Sequence, residues 1–312
     1  MAFPEARWIW KEGELVAWQD AKVHLLSLAV QFGSSVFEGI RCYATPRGPA
    51  IFRLPEHLRR LQESCRIYRF EVPWTAEQLT AAILDLVARN ELASCYVRPM
   101  VLRGYGSPGL DPIGAPSETW IACWPWGTYL GAEALLAGVD VCVSSWQRAS
   151  ANSFPALAKS AGHYNNGQLM KAEATINGYA EAIALGPDGM VSEGTGMNLF
   201  LVRDGVLYTP PVDGTILQGI TRDAIITLAA EMGIACQERP MPREMLYTAD
   251  ELFFCGTAAE VAPIRSVDRI PVGSGRAGAI TLSLQKRYMD LAEGRAEDRY
   301  GWLTAVRRGE GK

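Results

Sequence analysis

The sequence predicts an α+β chain of two domains. Its 312 residues suit about two units of ordinary domain size. Segments of strand-like alternation and of helical spacing are interspersed without strict βαβ order, which argues against a Rossmann sheet. Glu-Gly and Asp-Gly pairs stand between apolar runs as hairpin turns. The expected boundaries are a small N-terminal α/β domain over 1–126, a connecting loop over 127–137 and a large C-terminal domain over 138–312.

The first half opens on WIWKEGELV, where Glu12-Gly13 supplies the turn of a hairpin. FEGIRCY and PAIFRL, separated by TPRG, predict a second. Two helices follow. Residues 55–69 begin on Pro55 at a first helical position, and 75–90 begin with Thr75 as N-cap and Glu77 and Gln78 in the first turn. In the second of these, Leu79, Ile83, Leu86 and Val87 recur at helical spacing. SCYVRPMVLR and TWIACWPW read as strands, joined by the Gly/Pro-rich GYGSPGLDPIGAPS, a loop long enough to be functional.

In the second half VDVCVSSW predicts a strand and residues 164–177 a helix. EAIALGPDGMVSE and LFLVRDGVLYTP predict hairpins around Asp188-Gly189 and Asp204-Gly205. GITRDAIITLAAEMG reads as a helix opened near Thr221 and closed by Gly233, with Ile225, Leu228 and Ala229 inward. A strand near 234–239, a short helix, the strand ELFFCGT, a hairpin over 262–272 and a C-terminal helix complete the chain.

Composition narrows the function classes. Hydrophobic residues make up 48% and charged residues 21%, ordinary for a soluble globular protein, and no apolar run reaches membrane-spanning length. The start, MAFPEARWIWKEGELV, lacks the basic segment and apolar core of a secretory signal, so the expected location is cytoplasmic. Seven cysteines without a CxxC pair fit reduced, buried thiols. With only His24, His57 and His163 as imidazoles, none near a cysteine pair, no metal site is expected. A net charge of −4 without a basic run gives nucleic acid no surface.

The chemistry starts at PALAKSAGHY. Lys159 stands among Ala156, Leu157, Ala158, Ala161 and Gly162, so its amine points into an interior. Desolvation lowers a lysine pKa, and a shift of about three units costs about 4 kcal/mol, tolerable in a packed domain. Such an amine suits Schiff-base formation. Tyr164 presents a phenol nearby if the chain turns at Gly162. In VSEGTGMNLF, Glu193 is either solvated at a turn or a buried anion that requires a cationic partner. The helix opened by Gln218-Gly219-Ile220 and Thr221, and the turn Gly256-Thr257-Ala258, offer backbone N–H groups to a phosphate, with Arg60 as a guanidinium fork for the same anion. An aldehyde for the lysine, a phosphate for the helix terminus and a basic ring nitrogen for the carboxylate together describe pyridoxal 5′-phosphate.

SSVFEGIRCY, YVRP, PWGTYLGAEAL, AKSAGHY, SEGTGMNLF, LQGITRDAI and FFCGTAAEVAPIRSVD, in that order, resemble the bacterial branched-chain amino acid aminotransferases of fold type IV. The resemblance runs through nearly the whole chain. It implies the two-domain, D-amino acid aminotransferase-like architecture with the active site between the domains. It also implies amino transfer between branched-chain L-amino acids (Leu, Ile, Val) and 2-oxoglutarate through a pyridoxal phosphate Schiff base on Lys159. By the same resemblance Lys159 moves the proton at the substrate Cα, Glu193 keeps the pyridine nitrogen protonated and Tyr164 bonds the ring hydroxyl. Arg60, Ile220, Thr221 and Thr257 hold the phosphate, and Leu217 packs on the ring.

Tyr96 and Arg98, two apart on a strand, share one face. The resemblance assigns that face to the substrate. Tyr96 with the Thr257 and Ala258 amides takes the α-carboxylate, while Phe37, Trp126 and Tyr129 form the apolar wall. Arg98 receives the side-chain carboxylate of glutamate. Two features depart from the pattern. Phe32 stands where close relatives often carry a tyrosine that helps bind glutamate, and the loop 104–114, which in the family reaches a neighbouring subunit, differs in sequence. The partners so implied are the branched-chain amino acids, their 2-oxo acids, glutamate and 2-oxoglutarate, with a homodimer or trimer of dimers as the assembly. Other fold type IV activities, on D-amino acids, (R)-amines or aminodeoxychorismate, are the nearest alternatives. A phosphate-ligand binding protein that forms no Schiff base is the alternative from another class.

Overall fold

The structure, a computed structural model, describes residues 4–127 and 131–306, which fall into two packing units. The first takes the chain up to Gly127, residues 158–162 and the chain from Asp290 onward; the second takes the rest. Lys159 therefore packs with the first unit, although the chain on both sides of 158–162 belongs to the second.

The first unit is built on an antiparallel sheet of β1 (Trp8–Lys11), β2 (Glu14–Ala17), β3 (Ser35–Phe37), β4 (Ile40–Thr45), β5 (Gly48–Phe52), β6 (Cys95–Arg103), β7 (Ser117–Pro125) and a C-terminal strand, Leu303–Ala305. From one edge the order is C-terminal strand, β5, β4, β6, β7, β1, β2, with β3 also paired to β6. Glu12 and Gly13 both take positive φ (46° and 93°), the geometry that a tight β1–β2 hairpin demands. Besides the short α1 (Leu28–Phe32), the unit carries α2 (Leu54–Ile67) and α3 (Ala76–Arg89).

Thr75 and Gln78 close a reciprocal capping box that starts α3 where the sequence places it. The face Leu79, Ile83, Leu86 and Val87 is buried, in one cluster with Leu54, Leu58 and Leu61 of α2 and Ile40, Val97 and Ile121 of the sheet. Each such side chain contributes roughly 1.5–3 kcal/mol by leaving water. Pro55 falls at the second position of α2 rather than the first, because Arg53 adopts a left-handed conformation as N-cap and Leu54 already belongs to the helix.

The second unit holds a mixed sheet: β8 (Val139–Val143), β9 (Glu181–Leu185), β10 (Val191–Gly194), β11 (Asn198–Arg203), β12 (Val206–Thr209), β13 (Cys236–Glu238), β14 (Glu251–Gly256), β15 (Glu260–Val267) and β16 (Ile270–Pro271). The order is β10-β9-β8-β15-β14-β11-β12-β13, with β16 on β15; β8 runs parallel to both its neighbours and β12 parallel to β13. Helices are α4 (Ala132–Ala137), α5 (Ala161–Ile176), α6 (Ile220–Glu231) and α7 (Ala279–Ala292), of which the start of α5 up to Gly162 and the end of α7 from Asp290 fall in the first unit, and the short helix of the sequence reading is the 3-10 turn Arg243–Tyr247. The hairpin turns form as expected, with Gly189 and Gly205 at φ 82° and 74°. Ile225, Leu228 and Ala229 of α6 are fully buried.

Two further elements begin away from their expected starts. α5 opens at Ala161 rather than 164, because Gly162 continues the helix instead of turning the chain, and β13 is confined to three residues. Among the described residues no helix is long and apolar enough to cross a membrane, and no group of His, Cys, Asp and Glu has the makings of a metal site.

Candidate active site

Lys159 is half-buried between Ala158 and Ser160, which are 1% and 2% exposed. Its main chain is fixed on both sides: the N–H donates to Ser64 Oγ at 3.0 Å and the carbonyl accepts from Phe37 N at 3.0 Å. Val36 and Ser160 add a β-bridge. The small apolar neighbours therefore seat the backbone in the unit, and Nζ stands 5.1 Å from the Phe37 ring centroid, in cation–π range.

Phe37, Glu38 and Gly39 follow one another at the end of β3, and each serves a different neighbour. Phe37 lies under Lys159 Nζ and also 4.6 Å from the Arg98 guanidinium carbon. Glu38 has no exposed surface; Oε1 accepts from Arg60 Nε at 2.6 Å, and Oε2 accepts from Arg60 Nη2 at 2.9 Å and meets His57 Nδ1 at 2.7 Å. Gly39 leaves space for the Tyr96 phenol, which a Cβ at that position would overlap. Burial alone would raise the Glu38 carboxyl, but the Arg60 charge and the His57 contact hold it well below the usual carboxylate range. Burial pushes the His57 imidazole below its ordinary value, against the pull of Glu38.

Tyr96 and Arg98 share a face of β6 as their spacing requires. The Arg98 guanidinium carbon lies 5.3 Å from the Tyr96 ring and 5.8 Å from Trp124, and Trp126 packs 4.9 Å from Tyr96. Arg98 Nε is buried with no hydrogen-bond partner among the described residues. A guanidinium walled by aromatic rings, with one donor unmet, is suited to a carboxylate arriving from outside the chain. Phe32 is 50% exposed. Tyr129 lies outside the described residues.

In the second unit Glu193 lies near the end of β10, and three donors fix its carboxylate. Arg148 Nη2 is 3.2 Å from Oε1, while Asn198 Nδ2 and Leu217 N each donate to Oε2 at 3.2 Å. Arg148 is itself anchored by Asn166 Oδ1 at 3.1 Å and by the Gly194 and Thr195 carbonyls at 2.7 and 3.2 Å. Glu193, its side chain 12% exposed, is thus the partly buried anion with a cationic partner, not the solvated turn residue.

From Leu217 it is three residues to Ile220, the first of α6. The helix has Gly219 as N-cap with no side chain to satisfy its first N–H groups, and Thr221 is 3% exposed behind it. Such a terminus carries unpaired donors and the positive end of the helix dipole. Gly219 has to be glycine here, because a Cβ would overlap Asn198 Oδ1. Asn198 pairs with Cys255 across β11 and β14, which sets the half-buried turn Thr257-Ala258 two residues beyond that pair. Tyr164, in the first turn of α5, has its ring edge beside Gly196.

The first unit thus gathers Lys159, Phe37, Tyr96, Arg98 and Trp126, with Arg60 reached through Glu38. The second gathers Glu193, Leu217 and the N-terminus of α6, with Thr257 in the turn after β14 and Tyr164 in the first turn of α5. Sequence reasoning missed Glu38, His57, Trp124, Arg148 and Asn198. For Trp124 a signal existed: it lies two residues before Trp126, packs like it on the Tyr96 ring, and stands opposite Tyr96 in the β6–β7 register.

The Amino-transferase class IV family profile matches residues 35–267. The branched-chain-amino-acid aminotransferase of Escherichia coli (strain K12) is 50% identical over 307 residues, spanning 98% of this chain and 99% of that protein. The Pseudomonas aeruginosa protein of the same name is 46% identical over 299 residues, 96% and 97% of the two chains. Among solved structures, the E. coli branched-chain amino acid aminotransferase superposes with a TM-score of 0.95 at 50% identity, covering 97% of this chain and 100% of that one. The branched-chain amino acid aminotransferase of Thermobaculum terrenum, solved in its PLP-bound holo form, gives 0.90 at 35% identity, covering 98% and 100%.

Proposed function

Since the chain belongs to the class IV aminotransferases, with the fold type IV architecture, we propose that it moves the amino group between branched-chain L-amino acids (Leu, Ile, Val) and 2-oxoglutarate. Enzymes of this class depend on pyridoxal 5′-phosphate. The observation that carries the reading is the Glu193 carboxylate, held by Arg148, Asn198 and the Leu217 N–H and followed three residues after Leu217 by the open N-terminus of α6. One stretch of chain so offers an anion for a protonated ring nitrogen and donors for a phosphate, and the Cβ-free position at Gly219 lets it pack closely on Asn198, which also holds Glu193.

When bound, the cofactor supplies an electron sink for the negative charge that develops at the amino acid Cα. Lys159 would hold the cofactor through its amine, and its Nζ would carry the proton to and from the substrate Cα. Glu193 holds the proton on the ring nitrogen, and Tyr164 orients the ring through its hydroxyl. Ile220, Thr221, Thr257 and Arg60 hold the phosphate, with Leu217 against the ring. Tyr96 with the Thr257 and Ala258 amides takes the α-carboxylate, and Phe37, Trp126 and Tyr129 exclude water around a branched side chain. The unmet Arg98 Nε supports a carboxylate-bearing second substrate, because an apolar side chain alone would leave it orphaned.

Borohydride reduction of the purified protein followed by peptide mapping tests the attachment: the reduced adduct is expected on Lys159, and a label elsewhere contradicts the assignment. A panel of L-leucine, D-alanine and an (R)-amine against 2-oxoglutarate tests the substrate class, with L-leucine expected to turn over fastest.

The assembly proposed is a homodimer or a trimer of dimers. Exposed apolar side chains on the first unit, Leu25, Leu26, Val30, Leu110 and Ile113, support self-association. Light scattering at the column outlet reads it directly. A cytoplasmic location is supported by seven free cysteines, six of them buried.

A further inference from the structure

Helix α2 carries two stripes on its buried side. Leu54, Leu58, Leu61 and Cys65 form the apolar one. His57, Arg60 and Ser64, at helical spacings of three and four, form a polar one, at 1%, 8% and 0% exposure. Ser64 receives the Lys159 N–H. Polar groups buried this deeply cost several kcal/mol each unless they are partnered, and Arg60 and His57 converge on one carboxylate from another element, Glu38.

We propose that Glu38, seconded by His57, is a positioning residue that presets the Arg60 guanidinium for the cofactor phosphate. This rests on the assignment of Arg60 to that phosphate made above. The contact is side-on: Nε and Nη2 meet the two carboxylate oxygens at 2.6 and 2.9 Å, so the plane and roll of the guanidinium are set before any ligand arrives. Glu38 is held in turn by His57 Nδ1 at 2.7 Å and by the Gly39 N–H at 3.3 Å. Meeting a carboxylate through Nδ1 requires the proton on that nitrogen, so the neutral ring donates and the cluster stays near zero charge. Arginine loses considerable side-chain freedom when it grips a ligand, and a guanidinium already immobilised loses less. Ser64 on the same stripe fixes the Lys159 backbone, so one helix face sets both the covalent anchor and the anion fork.

The test separates phosphate from ring. Full-length protein, freed of cofactor by dialysis, is titrated with pyridoxal 5′-phosphate and with pyridoxal, which has the same aldehyde and ring and no phosphate, following the absorbance of the lysine adduct. Arg60→Met is expected to weaken the phosphate ester by about a hundredfold and pyridoxal less than about twofold, in line with loss of a charged hydrogen-bond partner. Glu38→Gln, isosteric and uncharged, is expected to weaken the ester about tenfold, to leave pyridoxal unchanged, and to add nothing further in the Arg60→Met background. Equal losses for both ligands, or no loss for either, overturn the proposal and leave Glu38 as part of the packing. If Glu38→Gln does not fold, His57→Gln is read by the same ratio, with about a threefold selective loss of the ester expected and an unselective loss overturning it. An unchanged ratio in Arg60→Met removes its premise. Failure of either aldehyde to label Lys159 in the unsubstituted protein would instead sink the functional reading.

Discussion

His163, immediately before Tyr164, is the histidine whose position most invites a catalytic role, and its surroundings predict another behaviour. The ring packs edge-to-face on Phe154 at 4.6 Å, and Nε2 is buried without a hydrogen-bond partner among the described residues. Burial, with the Arg148 charge adding to it, pushes the imidazole down from 6.5 to about 4. The unfolded chain therefore takes up a proton at higher pH than the folded one. Stability is complete above about 6.5 and is lost as the pH falls through the window toward about 4. Between about pH 7 and about pH 5 the linkage ceiling is about 2 kcal/mol, and solvent screening of a partly exposed ring reduces it to about 1 kcal/mol. His163→Phe keeps the aromatic contact and removes the titration. Urea unfolding at the two pH values should show the parent losing about 1 kcal/mol more than the variant. The depressed His57 titrates in the same direction but is present in both proteins, so it cancels. Identical pH slopes in the two proteins would refute the argument.

Gly39→Ala places a methyl group in the Tyr96 phenol; overpacking there should cost about 1–3 kcal/mol in thermal unfolding and raise KM for the amino donor more than it lowers kcat. Arg98→Met should spare the half-reaction with L-leucine, read as a single-turnover spectral change, while slowing that with glutamate by about 10–100-fold through loss of a charged hydrogen bond. Glu193→Gln should keep the cofactor bound yet lower kcat by at least about a hundredfold, since an amide cannot hold the proton on the ring nitrogen; unchanged turnover removes Glu193 from the mechanism.

How much could be read from the sequence depended on whether a feature was local. Helix α3 is legible because Thr75, Gln78 and the spacing of Leu79, Ile83, Leu86 and Val87 give one message within fifteen residues or so. Strand β3 and the C-terminal strand are only three residues long, too short for alternation to register. Lys159 and Glu193 stand out by the chemistry of their immediate neighbours. Glu38 and Arg148 do not, because what defines them is burial against partners far along the chain, and nothing in SSVFEGIRCY says that its glutamate faces inward. The resemblance drew attention to residues that would touch ligand and passed over those that hold them in place.

The run Phe37-Glu38-Gly39 also limits how this chain can be edited. Inserting one residue between Gly33 and Phe37 reverses which side of β3 the residues after it face and shifts each successor by one place. The benzyl group would then occupy the carboxylate's slot, and a side chain would fill the gap reserved for a phenol. Lengthening the tips at Asp188-Gly189 or Asp204-Gly205 carries no such consequence, so circularly permuted or domain-inserted versions of the protein should be opened at those tips.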